Sequence, residues 1–378
     1  MNTIQISSNI LQWVAEQRGL SISELVDLLG GASSKHEAQM SGKFTIKQVE
    51  TLAQKTNIPF GYFFLDTPPQ LPYSNIPDLR QLPDVVPLSI DFFDTLNDIL
   101  RKQQWYLDYL KEHGANELNF VGKFKIDSST PIEDIASDIR NTLNLTIQEQ
   151  KERKDFRDFF NLLTEKAENI GILIFKNGIV KNNAHRSLSV DEFRGFAIAD
   201  SYTPIIFING KDYEAAWIFT LAHELAHIWL GESGVSDIPD KPIPIKHKLE
   251  QYCNKIAAEL LTPKKLFLNA WKKHPEPKIE ALSKEFRVSQ RMIAKRAYDL
   301  HKISWNDYLH IIKSSKKPKK NKARGGNPYL VYPLRNSKRI TNAIVNTAMS
   351  GDMMLREAAS LLNVKPDTVM EMGRRRTN

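Results

Sequence analysis

At 378 residues the chain is too long for one hydrophobic core, and two to four domains are expected. Its 41% hydrophobic and 25% charged residues are ordinary for a soluble globular protein, and no apolar run reaches the length of a membrane span. The single cysteine, Cys253, excludes an intrachain disulfide framework, and a net charge of +8 points to an anionic partner, nucleic acid first.

The opening "MNTIQISSNILQW" lacks a charged n-region followed by an apolar h-region, so no signal peptide is read and a cytoplasmic location is expected. Ile10, Leu11, Val14 and Ala15 fall at helical spacing, and Gly19 ends that run. In "LSISELVDLLGG", Ser21 or Ser23 can cap a second helix that Gly30 and Gly31 stop. "SSKHEAQMSG" reads as a short third helix. "TIKQVETLAQKTNIP", with Ile46, Val49, Leu52 and Ala53 in phase, reads as a fourth. Short helices joined by glycine turns suggest a helix-turn-helix unit. Such a unit would meet DNA through Ser33, Ser34, Lys35 and His36, although base-reading Arg, Asn or Gln are sparse there and a protein-docking role competes.

Prolines from Pro59 to Pro87 mark a linker, whose aromatics Tyr62, Phe63 and Phe64 are expected to pack back onto the preceding helices. A long amphipathic helix follows from Ser89 to about His113, then two helical patterns within residues 131–170. The texture changes at Gly171, where "GILIFKNGIV", "RGFAIAD" and "PIIFING" are strand-like. A helix from about Asp212 to Leu230 comes next, and another, "KLEQYCNKIAAELLT", stops at Pro263. Beyond it the chain is helical again. A basic run holding Lys313, Lys316, Lys317, Lys319, Lys320, Lys322 and Arg324 then separates a last segment. That run is either a phosphate-neutralising arm or a solvated linker. The last segment contains the helix-turn-helix-like "LREAASLLNVKPDTVMEM" and closes on Arg374, Arg375 and Arg376.

The stretch "TLAHELAHIWLG" carries the chemistry. Residues i and i+4 share one face of a helix, so His223 and His227 can aim one imidazole nitrogen each at a shared ion. Glu224 lies a step around the helix, placed to act as general base rather than to ligate. A catalytic zinc takes three protein ligands and keeps one position open, so a third ligand is required. No histidine follows at the spacing of a three-histidine site. Glu250 and Glu259 are the downstream candidates, with His247 outside them. Glu250 is preferred because Asn254, one turn on, can orient the site as an outer partner. The strands "RGFAIAD" or "PIIFIN" could offer an edge on which substrate adds as a strand, or could both be interior.

Together, "GFAIADSYTPIIFINGKDYEAAWIFTLAHELAHIWLGESGVSD" and "EQYCNKIAAELLTP" resemble the ImmA/IrrE family of zinc metallopeptidases. The resemblance implies that His223, His227 and Glu250 bind Zn2+ and that Glu224 is catalytic. "QRGLSISELVDLLG" with "NIPFGYFFLDTPP" is similar to the Xre-type helix-turn-helix that precedes the peptidase in longer members. Thr262 stands where many members have methionine or valine.

The fold expected is multidomain and mainly α. It comprises an N-terminal helix-turn-helix bundle, a central α+β zincin-like metallopeptidase domain with a small sheet, and a C-terminal helical domain. The boundaries are 1–70 for the helix-turn-helix, 71–125 for linker and long helix and 126–265 for the metallopeptidase domain. A winged-helix-like extension at 266–312, a basic linker at 313–326 and the C-terminal domain at 327–378 complete the chain. The resemblance implies a regulatory zinc endopeptidase acting on a protein partner such as a repressor, coupled to DNA binding. The alternative is a non-proteolytic regulator or antitoxin that neutralises a neighbouring-gene toxin by binding it. Expected partners are therefore protein and DNA, with no membrane and with a homodimer left open.

Overall fold

The computed structural model describes residues 3–18, 20–30, 36–56, 58–69, 88–126, 130–236, 248–276, 278–314 and 328–377. The chain is mainly helical with two small sheets, and it divides into two units. One comprises residues 1–75 and 87–97, the other residues 76–86 and 98–378.

In the first unit, β1 (Thr3–Gln5), α1 (Ser8–Glu16), α2 (Ile22–Asp27), α3 (His36–Met40), β2 (Lys43–Thr45) and α4 (Ile46–Thr56) precede a 3-10 turn at Phe60–Phe64. Ser21 rather than Ser23 caps α2: its side chain accepts the Glu24 N–H while the Glu24 carboxylate takes the Ser21 N–H, a reciprocal capping box. The antiparallel pair β1–β2, in register Thr3↔Thr45, is invisible in a pattern otherwise read as helices, because three-residue strands leave no periodicity to detect. Ile10, Val14, Leu25, Phe44, Val49 and Leu52 form the core. Of the three linker aromatics, Phe63 is buried in that core and Tyr62 packs at its margin, whereas Phe64 stays exposed beside Phe60 at 4.9 Å.

The long helix α5 (Ile90–Glu112) begins in the first unit and continues in the second. There follow α6 (Ile132–Thr142), α7 (Ile147–Lys151), α8 (Phe156–Asn169), β3 (Leu173–Asn177), β4 (Gly195–Ile198), β5 (Ile205–Asn209), α9 (Glu214–Leu230) and β6 (Gly234–Ser236). Helices α10 (Lys248–Leu261), α11 (Lys264–Lys273), α12 (Lys278–Phe286), α13 (Gln290–Asp299) and α14 (Trp305–Ser314) come next. The chain then runs through α15 (Pro328–Arg335), α16 (Lys338–Ser350), α17 (Leu355–Leu362) and α18 (Pro366–Thr377).

The larger sheet has the order β3-β5-β4-β6, with β3 parallel to β5 and the other pairs antiparallel. Both strands considered for a substrate edge are therefore interior: β5 lies between β3 and β4, and β6 covers the outer side of β4. Side chains alternate across the sheet. Ala197, Ile206 and Ile208 share a core with Leu221, Ala222 and Leu225 of α9, while Phe196 and Phe207 stack at 5.0 Å on the opposite face. Against its other sides α9 packs on α8 and α10, and α10 packs on α6. Among the described residues, no helix is long and apolar enough to cross a membrane.

Candidate metal centre

Helix α9 is apolar almost all round, and a helix of that kind must be buried. All residues from Thr220 to Leu230 are buried, His223, Glu224 and His227 completely. Gly231 closes the helix in the left-handed region at φ +71°, where its N–H and that of Glu232 take up carbonyls of the last turn. The segment preceding α6 secures the same end. Gly122 N–H donates to the Ile228 carbonyl at 3.0 Å and Phe124 N–H to that of Trp229 at 3.1 Å, while Phe120 stacks on the Trp229 ring at 4.6 Å. Gly122 and Gly231 approach so closely that a Cβ on Gly231 would lie 2.9 Å from the Gly122 Cα. The helix end that carries His227 is thus fixed before any ligand is considered.

The two histidine Nε2 atoms stand 3.1 Å apart. Glu250, buried in the first turn of α10, places Oε2 3.1 Å from His223 Nε2 and Oε1 3.1 Å from His227 Nε2. Two imidazoles and a carboxylate are the ligand set of a catalytic zinc with one position open. Bonds of about 2.0–2.1 Å at tetrahedral angles separate ligand atoms by roughly 3.3 Å, so the observed spacing suits one ion held by all three. His223 Nδ1 donates to Asn254 Oδ1 at 3.0 Å, which leaves the Nε2 lone pair directed inward and sets the tautomer. Glu259 is elsewhere. Its carboxylate is buried against Arg296 of α13 and accepts the Lys264 N–H at 2.8 Å, while Arg296 also donates to the Thr262 carbonyl at 3.0 Å. It is a clamp across the Pro263 turn. His247, Ser33, Ser34 and Lys35 lie outside the described residues, and His36 opens α3 as a half-buried residue 3.3 Å from Asp27.

Environment separates the two carboxylates of the centre. Burial pushes the Glu224 pKa up to about 8, with the nearby Glu250 charge adding to the rise and His223 opposing it. Burial pushes Glu250 the same way, but His223 and His227 outweigh it and hold that carboxyl down to about 2. A group that stays ionised suits a ligand, and one poised near neutrality suits proton transfer. Burial lowers the pKa of His227; at His223 the Glu250 carboxylate overcomes burial and the pKa is raised.

Two residues of this region have no motif of their own. Gly195 of β4 faces Glu224: a Cβ there would sit 2.7 Å from Thr220 Cγ2, 2.9 Å from the Phe207 carbonyl and 3.0 Å from Glu224 Oε1. Ser236 of β6 pairs directly with Gly195, so its side chain shares the α9 face. Its hydroxyl stands within electrostatic reach of Glu224 but outside hydrogen-bond geometry, and neither Glu224 oxygen has a partner among the described residues. The glycine inside the run "RGFAIAD" was the available signal, since an interior strand glycine often marks close approach. Gly195→Ala is accordingly expected to lower the unfolding free energy by about 1–3 kcal/mol through overpacking, read from urea denaturation. A wild-type midpoint would mean that the strand and helix leave room for a methyl.

Comparison with known families places this geometry. Residues 167–298 match the IrrE N-terminal-like domain. It is a metallopeptidase family, and the matched segment, about a third of the chain, contains His223, Glu224, His227, Glu250, Asn254, Glu259 and Arg296. A second match, to a domain of unknown function, covers residues 336–375 and so takes in α16, α17 and most of α18. No curated protein and no solved structure matches the chain.

Proposed function

We propose that the chain is a regulatory zinc-dependent endopeptidase that cleaves a protein partner, such as a repressor, and that its N-terminal helices couple this activity to DNA. The observation that carries the reading is the convergence of His223 Nε2, His227 Nε2 and the Glu250 carboxylate in a buried cluster, with Glu224 one residue along the same helix. The family match of residues 167–298 supports it.

Zinc bound by His223, His227 and Glu250 would supply Lewis-acid polarisation of a peptide carbonyl and of an attacking water. The remaining work belongs to the chain's own side chains. Glu224 accepts the proton of the attacking water and can pass it to the departing amine, the two duties of one carboxyl poised near neutrality. Asn254 keeps His223 in the tautomer that presents Nε2. The apolar packing of α9 limits the water around the reacting atoms, which strengthens each of these interactions.

The test has two arms. Metal analysis of the purified protein should find about one zinc per chain, lost in the His223→Ala, His227→Ala double variant. Mapping of new protein N-termini in cells expressing either form should then reveal cleavage products present only with the wild type. Undiminished zinc in the double variant would remove the centre, and identical N-termini alongside bound zinc would favour the non-proteolytic antitoxin or regulator.

A further inference from the structure

The cluster is closed to a substrate in this fold. His223, Glu224 and His227 are each 0% exposed and Glu250 is 2% exposed, so they offer no surface on which a peptide bond could settle. The layer of helices shows which side is covered. Helix α8 contacts β3 and α9, and α9 contacts β5 and β4, so the helices step across the sheet in the order of its strands. The next helix of that layer, α10, brings Glu250 to the histidines, and the strand on that side is β6. It runs antiparallel along the outer side of β4, with Ser236 opposite Gly195 and Gly234 opposite Ala197, and all three of its residues are buried. A Cβ on Gly195 would stand 3.0 Å from Glu224 Oε1, so this part of the β4–β6 ladder lies directly beside Glu224.

Little side-chain surface holds β6 in place. Gly234 has no side chain, Ser236 has a small polar one, and Val235 is the apolar residue of the strand. Beside the three paired residues, Ser233 Oγ accepts the Ala199 N–H at 2.9 Å and the Ser236 carbonyl accepts the Arg194 N–H at 3.2 Å. Backbone hydrogen bonds of this kind are not specific to one sequence. An extended segment of another chain, added antiparallel to β4, would take over the same donors and acceptors. Exchange would then replace one set of ladder bonds by an equal set, and would leave little buried side chain to compensate.

We propose that β6 is an internal pseudosubstrate: it fills the outer edge of β4 where a substrate segment pairs, and the centre opens when an extended stretch of a partner protein displaces it. The inference rests on the peptidase reading of the centre. It adds a substrate class, segments free to pair as a strand, and an autoinhibited resting state in which folded proteins are spared.

Two rates measured on the zinc-loaded, full-length protein test it. One is the removal of zinc by 1,10-phenanthroline, which needs no peptidase activity, and the other is cleavage of fluorescein-labelled casein, a chain without a fixed fold. Val235→Pro denies β6 its place in the ladder, since proline has no N–H to donate, and is expected to speed both rates about tenfold or more. Ser233→Ala removes a single contact at a half-buried position and should speed both about threefold, which keeps the test open if Val235→Pro does not fold. Ile174→Ala on β3, the opposite margin of the sheet, loosens the same domain away from β6 and is expected to change either rate less than about twofold. Zinc removal from folded β6 variants at the wild-type rate, or an equal gain from Ile174→Ala, would overturn the inference whether or not casein is cut. Faster zinc removal from the β6 variants with no casein cleavage by any form would strike the peptidase reading itself, and the pseudosubstrate role would fall with it.

Discussion

Glu250→Ala is expected to abolish stoichiometric zinc binding, whereas Glu259→Ala should leave zinc in place and weaken the fold instead. The two glutamates sit on one helix and both are buried, yet their partners differ completely. Glu250 touches His223 and His227 at 3.1 Å each, and Glu259 is held by Arg296 and the Lys264 N–H. Losing an outer-shell partner typically costs about 10–100-fold in metal affinity, so removal of a direct ligand should exceed that range. Glu259→Ala strands the buried Arg296 guanidinium, for which about 3–5 kcal/mol of destabilisation is expected. Competition against a chromophoric chelator measures the first effect and urea denaturation the second. Zinc release by Glu259→Ala from a protein that is still folded, with retention by Glu250→Ala, would exchange the two assignments.

The Glu224→Gln variant separates binding from chemistry. Its amide keeps the size of the side chain beside Gly195 and cannot take a proton from water. Zinc content should match the wild type, because neither Glu224 oxygen is among the converging ligand atoms. Cleavage of the substrate identified by N-terminal mapping should fall by roughly 10²-fold or more, the scale of a lost general base. The drop belongs in kcat with KM little changed, since proton transfer is a demand of the transition state rather than of substrate binding. Equal turnover by Glu224→Gln and wild type would exclude Glu224 as the base.

The convergence of His223, His227 and Glu250 was largely legible in the sequence because its key relations are local. A spacing of four places His223 and His227 on one helical face whatever surrounds the helix, and the same spacing links Glu250 to Asn254 on α10. Glycine and proline likewise marked the ends of α9 and α10 correctly, at Gly231 and Pro263, since their backbone limits act within a single turn. The third member of the cluster was legible only as a choice between two glutamates. Burial and a helical setting are common to both, and what separates them is which neighbours the packing of α10 supplies. Arg296 lies 37 residues beyond Glu259, and no periodicity announces that pairing.

The same limit explains what the sheet withheld. A strand's pattern tells which residues share a face, but not which strand lies beside it, because pairing depends on where the chain returns. Composition therefore left "RGFAIAD" and "PIIFIN" open as edges, and only the return of Gly234–Ser236 after α9 made β4 an interior strand. That return also brings Ser236 opposite Gly195 and beside Glu224, and the segment from Phe120 to Phe124 reaches the end of α9 from about a hundred residues away. Helical spacing, a property of consecutive residues, was enough to bring most of the candidate cluster together. The neighbours that orient them come from distant parts of the chain, and only the packed tertiary structure decides which.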